Sequence, residues 1–380
     1  MGVPVLVLVL LAVLLVAGFA GCGFQLPEPA PDLFVKSVSA SVGNGPVYLL
    51  TADLNGDGRA DIVSVNGADN SVTVLYGRGD GAFREGLTLA TQPEPSMAAV
   101  GDLNGDGIAD LVLNSQAAGA LTVFPGAGGG AFARPMSHKT GRVPLAVILD
   151  DFNNDGRLDA AVTLTFQKLE IHVGTGGGRL RKGATYATGS RSFSGVSGDF
   201  DGDGNRDIAL AASSSNAGSI RVYLGNGDAT FRRAGRFAEG LMPLTLVKRD
   251  MNGDGLDDLL TASGKGDNLY LFYANGDGSF RPAATFSAGG GPLALAAGDF
   301  NDDGLPDAAV ANSRSSTFSV VFRKADGGFR FPGRDYVVEG GAPLAITSGD
   351  YNGDGRTDIA VAGSLSNKVE IYLQRRRRIS

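Results

Sequence analysis

From residue 34 onward the apolar positions fall in short runs. Some alternate with polar residues, as in Ser71-Val-Thr-Val-Leu-Tyr76 and Lys368-Val-Glu-Ile-Tyr-Leu373. Others are β-rich and apolar, as in Ile62 to Val65, broken only by Ser64, and Ile359 to Val361. Alternation and β-rich apolar runs both predict strands. Clusters of Gly, Asp and Asn separate the runs and predict turns. Beyond the N-terminal segment no stretch sustains a helical period. The pattern therefore predicts an all-β chain of many short strands.

The runs repeat. One nonapeptide recurs as DLNGDGRAD at 53, DLNGDGIAD at 102, DFNNDGRLD at 151, DFDGDGNRD at 199, DMNGDGLDD at 250, DFNDDGLPD at 299 and DYNGDGRTD at 350, at intervals of 48 to 51 residues. Other landmarks keep the same phase. A Pro stands seven residues before the first Asp at Pro46, Pro95, Pro144, Pro243, Pro292 and Pro343, with Ser192 in the fourth copy. A Phe recurs at Phe34, Phe83, Phe132, Phe231, Phe280 and Phe329, with Leu180 standing in once.

Each unit reads as four strands. Strand A leads into the nonapeptide, B leaves it, C alternates, and D starts at the recurring Phe after a Gly-rich turn such as GNGDATF (225 to 231) or ANGDGSF (274 to 280). Four strands per repeat of this length predict a seven-bladed β-propeller of four-stranded blades. The ends of the chain predict how it closes. No strand D follows the last strand C, and Phe34 opens a strand D that no strand C precedes. The N-terminal strand should therefore pair into the last blade, which hides two edges. An open array is the alternative.

Residues 3 to 21 are uncharged and rich in Val, Leu and Ala. They read as a signal peptide over 1–21, left out of the fold. The stretch Phe19-Ala20-Gly21-Cys22 resembles a bacterial lipobox, which makes Cys22 the lipidation site and accounts for the single Cys in the chain. The same apolar length also suits an uncleaved anchor, and simple secretion is a third reading. All three place the domain outside the cytoplasm. An outer-membrane-anchored lipoprotein of the bacterial envelope is the expectation. Residues 22–33, with Pro27, Pro29 and Pro31, read as a stiff tether. The propeller then spans 34–374, and 375–380 form a basic tail.

The nonapeptide D-x-[ND]-x-D-G-x-x-D presents oxygen side chains at positions 1, 3, 5 and 9. Calcium takes six to eight hard oxygen ligands, and Gly at position 6 permits the sharp wrap. An EF-hand would need Glu at position 12, but Ser64 stands there in the first copy, with strands on both sides. The reading is an EF-like calcium loop on a β scaffold, with about seven Ca²⁺ sites. Expected ligands in the first copy are Asp53, Asn55, Asp57, the carbonyl of Arg59, and Asp61. The second offers Asp102, Asn104, Asp106, Ile108 and Asp110, and the third Asp151, Asn153, Asp155, Arg157 and Asp159. The fourth offers Asp199, Asp201, Asp203, Asn205 and Asp207, and the fifth Asp250, Asn252, Asp254, Leu256 and Asp258. The sixth offers Asp299, Asn301, Asp303, Leu305 and Asp307, and the seventh Asp350, Asn352, Asp354, Arg356 and Asp358.

The nonapeptides, the preceding Pro and the G-x-G-D-G-x-F turn resemble VCBS/FG-GAP repeats, as in the integrin α-subunit propeller. The resemblance covers about 34 to 373. It implies calcium held between strands A and B near the rim. It implies adhesion, sugar binding or an accessory role, without choosing among them.

Composition changes the picture in two places. The chain has 58 Gly in 380 residues, about twice the usual share, yet is 43% hydrophobic, so it is turn-rich rather than disordered. Its formal charge of −7 suggests an acidic protein, but 22 of its 40 acids stand at the loop ligand positions. Seven bound Ca²⁺ would carry −7 to +7, so an anionic partner becomes plausible and nucleic acid is not expected. One Cys excludes a multi-Cys metal site, and the two His offer little for catalysis. His138 is placed in a loop after strand D, and His172 inside strand C. No nucleophile or phosphate-binding motif is present, so the expectation is not an enzyme; a polysaccharide-degrading enzyme is kept as an alternative. Arg78-Gly79-Asp80 spells an integrin-recognised tripeptide but also fits this repeat's C–D turn. A carbohydrate-binding lectin is the other alternative, although the chain has no Trp for stacking. The B–C and D–A loops share one face and include Ser213 to Gly218, Asn312 to Ser316 and Gln92 to Pro95. The run Arg375 to Arg378 could touch anionic lipid or lipopolysaccharide. The expected whole is a monomeric, membrane-anchored binding or scaffold module for an envelope protein or an anionic glycan.

Overall fold

A computed structural model describes residues 33–376, apart from 214–217, 325–327 and 331–332. The signal segment, Cys22, most of the tether, most of the Ser213 to Gly218 loop, and Arg377 and Arg378 lie outside the described residues. The rest forms seven antiparallel sheets of four strands, one per repeat. In the first blade strand A is Pro46–Ala52, B is Asp61–Asn66, C is Ser71–Gly77 and D is Phe83–Ala90. The strands pair in that order, and the other blades repeat it. Each strand A touches the strand A of both neighbouring blades, and Pro46–Ala52 touches Ala345–Gly349, which closes the ring. A cavity of about 500 Å³ on the axis is lined by strand A residues such as Val47, Leu145, Phe193 and Leu244.

Closure follows the expected route. Phe34–Ser41 pairs antiparallel with Lys368–Gln374, from Phe34 opposite Gln374 to Ser41 opposite Lys368. The last sheet therefore holds the first strand of the propeller beside three strands from the last repeat.

The β-rich runs that leave the nonapeptides are strand B, and every described residue of the seven B strands is buried. A blade lies on each side of such a strand, so it is mostly apolar on both faces and the polar residues it carries are buried, as Ser64 and Asn66 are. Val63, Val65 and Val72 of the first blade pack in one cluster with Leu111 and Leu113 of the second. The recurring Pro also has a local reason. It opens strand A in five blades, and the ladder slips just after it, between Pro46 and Tyr48 in the first. A strand start beside a bulge tolerates a residue without an N–H.

Two outer strands differ from the sequence reading. In the second blade Phe132 belongs to a side hairpin, Gly126–Gly128 with Ala131–Phe132, and strand D is Met136–Lys139. Pro125 ends strand C because it has no N–H for the ladder, and its carbonyl instead accepts Ala133 N–H at 2.7 Å. His138 therefore lies within strand D and not in a loop after it. In the sixth blade Phe329 forms an isolated bridge with Arg323, and strand D is Arg334–Val337.

Candidate metal centre

Each nonapeptide folds into one tight loop between strands A and B. In the first, Asp53 Oδ1 accepts Gly56 N–H at 2.8 Å and Asp57 N–H at 3.2 Å, and Oδ2 accepts Gly58 N–H at 2.8 Å. Asn55 Oδ1 accepts Asp57 N–H at 2.8 Å, and Asp57 Oδ1 accepts Arg59 N–H at 3.0 Å. The chain thus wraps around its own side-chain oxygens. Positions 4 and 6 take left-handed backbone, at φ of 75° for Gly56 and 77° for Gly58. Asn154 and Asp302 replace Gly at position 4 at φ of 57° and 59°. Those are the two non-glycine types that tolerate this region best.

Position 9 behaves differently. Asp61, Asp110, Asp159, Asp207, Asp258, Asp307 and Asp358 are all fully buried. Asp61 Oδ2 accepts Leu54 N–H at 2.9 Å, and Oδ1 accepts Gly77 N–H at 2.8 Å. Asp358 does the same with Tyr351 at 3.0 Å and Gln374 at 2.8 Å. This carboxylate therefore ties the loop to the end of strand C, as well as offering its remaining lone pairs to a ligand. Burial is the main influence on its titration and pushes the carboxyl up: to about 6 for Asp159, Asp207 and Asp258, and to about 7 for Asp307 and Asp358. The backbone N–H groups oppose that rise, and the other loop acids add to it.

The donor set fits a hard divalent cation. In the fourth loop Asp199, Asp201 and Asp207 bring carboxylate oxygens within 4.8 Å of one another. Asp201 Oδ1 there is buried and has no hydrogen-bond partner. Asn301 Oδ1 at the same position of the sixth loop is buried and unpartnered too. In the second, third and fifth loops the position 3 amide turns its nitrogen to the acids: Asn104 Nδ2 lies 3.0 Å from Asp106, Asn153 Nδ2 3.1 Å from Asp155, and Asn252 Nδ2 2.8 Å from Asp254. Rotating the amide exchanges that donor for an oxygen, as a cation requires. At position 7 the side chains leave the ligand set. Arg157 and Arg356 pair with the acids two residues before them.

Position 2, absent from the sequence reading of the site, carries a second function. Leu54, Leu103, Phe152, Phe200, Met251, Phe300 and Tyr351 are all buried. Each meets the recurring Phe, or its replacement, of the next blade. Phe152 meets Phe231 and Phe200 meets Phe280, each with ring centroids 5.5 Å apart. Tyr351 meets Phe83 at 5.7 Å and Phe300 meets Phe34 at 6.0 Å. Leu54 clusters with Phe132, Leu103 with Leu180 and Met251 with Phe329. The two displaced Phe residues therefore keep this contact. Carbonyls of position 2 also accept N–H bonds from the next blade's C–D turn, as Phe152 does from Ala229 at 2.8 Å. The uniformly large apolar residue at position 2 was the available signal.

The other candidates are internally engaged. Asp80 accepts Ala82 N–H at 3.0 Å and lies 3.4 Å from Arg78, so Arg78-Gly79-Asp80 forms its own turn. His172 is buried and lies 3.2 Å from Glu170, and the His138 ring lies 3.2 Å from the Gly178 carbonyl. On the B–C and D–A face Arg314 pairs with Asp267, and Gln92 Nε2 donates to Ser137 at 2.9 Å.

Comparison with known proteins matches this architecture. No curated protein sequence matches the chain. Among solved structures it is similar to BBS1N, crystallised in complex with ARL6DN and soaked with lead, at TM-score 0.66 and 11% identity over 92% of this chain and 99% of that one. It is also similar to an Agrocybe aegerita lectin described as recognising non-reducing terminal N-acetylglucosamine, at TM-score 0.53 and 18% identity over 84% of this chain and 86% of that one. At such identities the likeness is one of fold. The sequence model of the FG-GAP-like repeat matches residues 53–113, 102–162, 151–210, 250–310 and 299–361, each running from one nonapeptide into the next repeat. The chain belongs to the FG-GAP-like repeat family.

Proposed function

We propose that this propeller is a calcium-stabilised binding or scaffold module, without catalysis of its own, carried outside the cytoplasm by a lipid anchor at Cys22. The observation that carries the metal part is the convergence of Asp199, Asp201 and Asp207 in the fourth loop, with unpartnered oxygens at Asp201 and, at the same position of the sixth loop, Asn301. Bound calcium would supply the charge that lets three loop acids ionise side by side. The residues do the rest. Positions 1 and 5 fix the wrap, position 9 holds strand C, and position 2 reaches the next blade.

The binding part rests on the family and on the fold. Propellers of this shape include BBS1N in complex with ARL6DN and a lectin, so a protein or a glycan partner is supported. Calorimetric titration of decalcified protein should show close to seven sites, and removal of calcium by EDTA should lower Tm. A melting curve unchanged by EDTA, from calcium-loaded protein, overturns the metal reading. A pull-down of envelope proteins and a glycan array, each with and without calcium, separate the scaffold from the lectin.

A further inference from the structure

Four residues before the residue whose N–H the position 9 Asp accepts, the side chain is polar in every blade: Thr73, Thr122, Glu170, Arg221, Tyr270, Ser319 and Glu370. In three blades it is an acceptor for the glycine three residues before the strand A landmark. Thr73 Oγ1 accepts Gly43 N–H at 3.2 Å, Glu170 Oε2 accepts Gly141 N–H at 2.9 Å, and Glu370 Oε1 accepts Gly340 N–H at 2.7 Å. The two glutamates are buried, and each also neutralises the Lys at the third position of strand D: Lys182 beside Glu170, and Lys36 beside Glu370 at 3.2 Å.

The fourth blade keeps the cation and loses the acid. Arg233 stands where Lys182 and Lys36 stand, but the Glu position is Arg221. Arg221 lies directly opposite Arg236 across the strand pair, and Arg233 lies opposite Tyr223, two residues further along the same face. Like charges opposed in this way are destabilising. Arg221 Nε is buried without a hydrogen-bond partner. Its guanidinium lies against the loop at Gly189, where a Cβ would come within 2.8 Å of Nη2. Arg233 turns to the Ala187 carbonyl at 2.6 Å. The acid at hand is the exposed Glu239, 2.6 Å from Arg236 Nε. Burial, followed by Arg233 and Arg236, pulls the Arg221 pKa down, although a guanidinium stays charged at any working pH.

We propose that Arg221, Arg233 and Arg236 of the fourth blade, beside Ala187 and Gly189 of the third, hold an oxyanion, a sulfate or carboxylate group. The bound anion takes the place that Glu170 and Glu370 fill from within the chain. The planar, multi-donor guanidinium suits such a group. The site goes beyond the binding-module reading, which bears only on where the anion comes from: an acidic glycan or free salt.

Calcium-saturated full-length chain is melted across a sodium sulfate series, against sodium chloride at matched ionic strength, and again with a sulfated oligosaccharide. Wild type should gain Tm with sulfate and saturate, as a ligand of the native state must make it do. Arg221→Glu rebuilds the glutamate–cation arrangement, so it should raise Tm in sulfate-free buffer and abolish the sulfate response. Arg236→Gln, an exposed position, should stay folded and weaken apparent sulfate affinity about tenfold, the share of one charge-assisted contact. A wild type that ignores sulfate, or variants that respond as wild type does, overturns the site. Tighter binding of the oligosaccharide than of sulfate identifies a glycan source, and equal binding identifies the free anion. Calcium stoichiometry measured on each variant keeps this result separate from the metal reading.

Discussion

At the residue scale the buried Asp at position 9 holds two jobs that the sequence shows as one. Its spacing marks a ligand, but its two oxygens also close the loop and receive the end of strand C. Removing it leaves two buried N–H groups without acceptors, at about 1–3 kcal/mol each. Asp358→Ala should therefore reduce unfolding free energy in urea by about 2–6 kcal/mol even in EDTA. Asp354→Ala, at the more exposed position 5, should reduce it by under about 1 kcal/mol in EDTA and still delete one calcium from the stoichiometry. Equal losses for the two variants would contradict the division of roles. The same carboxyls set a pH response in the metal-free chain. Their folded values, up to about 7 at Asp307 and Asp358, lie above the unfolded value. Between pH 4 and 7 the folded state thus holds protons that the unfolded chain has released, and stability falls as pH rises. Buried His172 and part-buried His138, whose pKa values are lowered by burial, act in the opposite sense, but as two groups against seven. Tm in EDTA should accordingly drop from pH 5 to pH 7.5, and saturating calcium should remove the drop. A Tm that climbs over that range in EDTA would refute it. Calcium uptake near pH 6 should also release protons.

At the element scale the loop and the blade interface are one device. The chain segment that wraps the acids also presents the position 2 side chain to the next blade. Phe200→Ala should cost about 3–5 kcal/mol, as a buried aromatic truncation does. Because the backbone of this loop is ordered by its acids, the loss should be smaller once EDTA has loosened the fourth loop; a double-mutant cycle with Asp199→Ala measures that coupling. Strands A, B and C and their seven loops were legible because spacing and alternation repeat seven times. The outer strands of the second and sixth blades were not. Pro125 interrupts one ladder through a missing N–H, a single-residue effect that the repeat average conceals. The recurring Phe marks the start of a strand in most blades, but its constant feature is contact with position 2, which survives at Phe132 and Phe329, where strand D begins later.

At the scale of the whole molecule one ladder decides whether the ring is shut. Phe34–Ser41 supplies the outer strand of the last blade, and Lys36 pairs with Glu339 and Glu370 across it. Val38→Pro, in the middle of that strand beside the existing bulge, puts a φ-locked ring into the paired stretch and clashes with extended pairing. It should lower Tm and expose the Lys368–Gln374 edge. Sedimentation should then show association, since an open edge accepts a foreign strand. A variant that stays monomeric with an unchanged Tm would show that the last blade does not depend on this strand.

The closing ladder also fixes an order in time. Asn44 and its partner Asn367 are 323 residues apart, and the ladder joins residues of similar separation. At about 5–20 residues per second of synthesis, the first strand waits about 15–65 s for its partner to exist. Throughout that interval the chain holds an unsatisfied outer strand at its leading end and cannot complete its last blade. The ring shuts only after Lys368–Gln374 has been made, so a product truncated before that strand keeps the opening strand free and is distinguishable by that free edge.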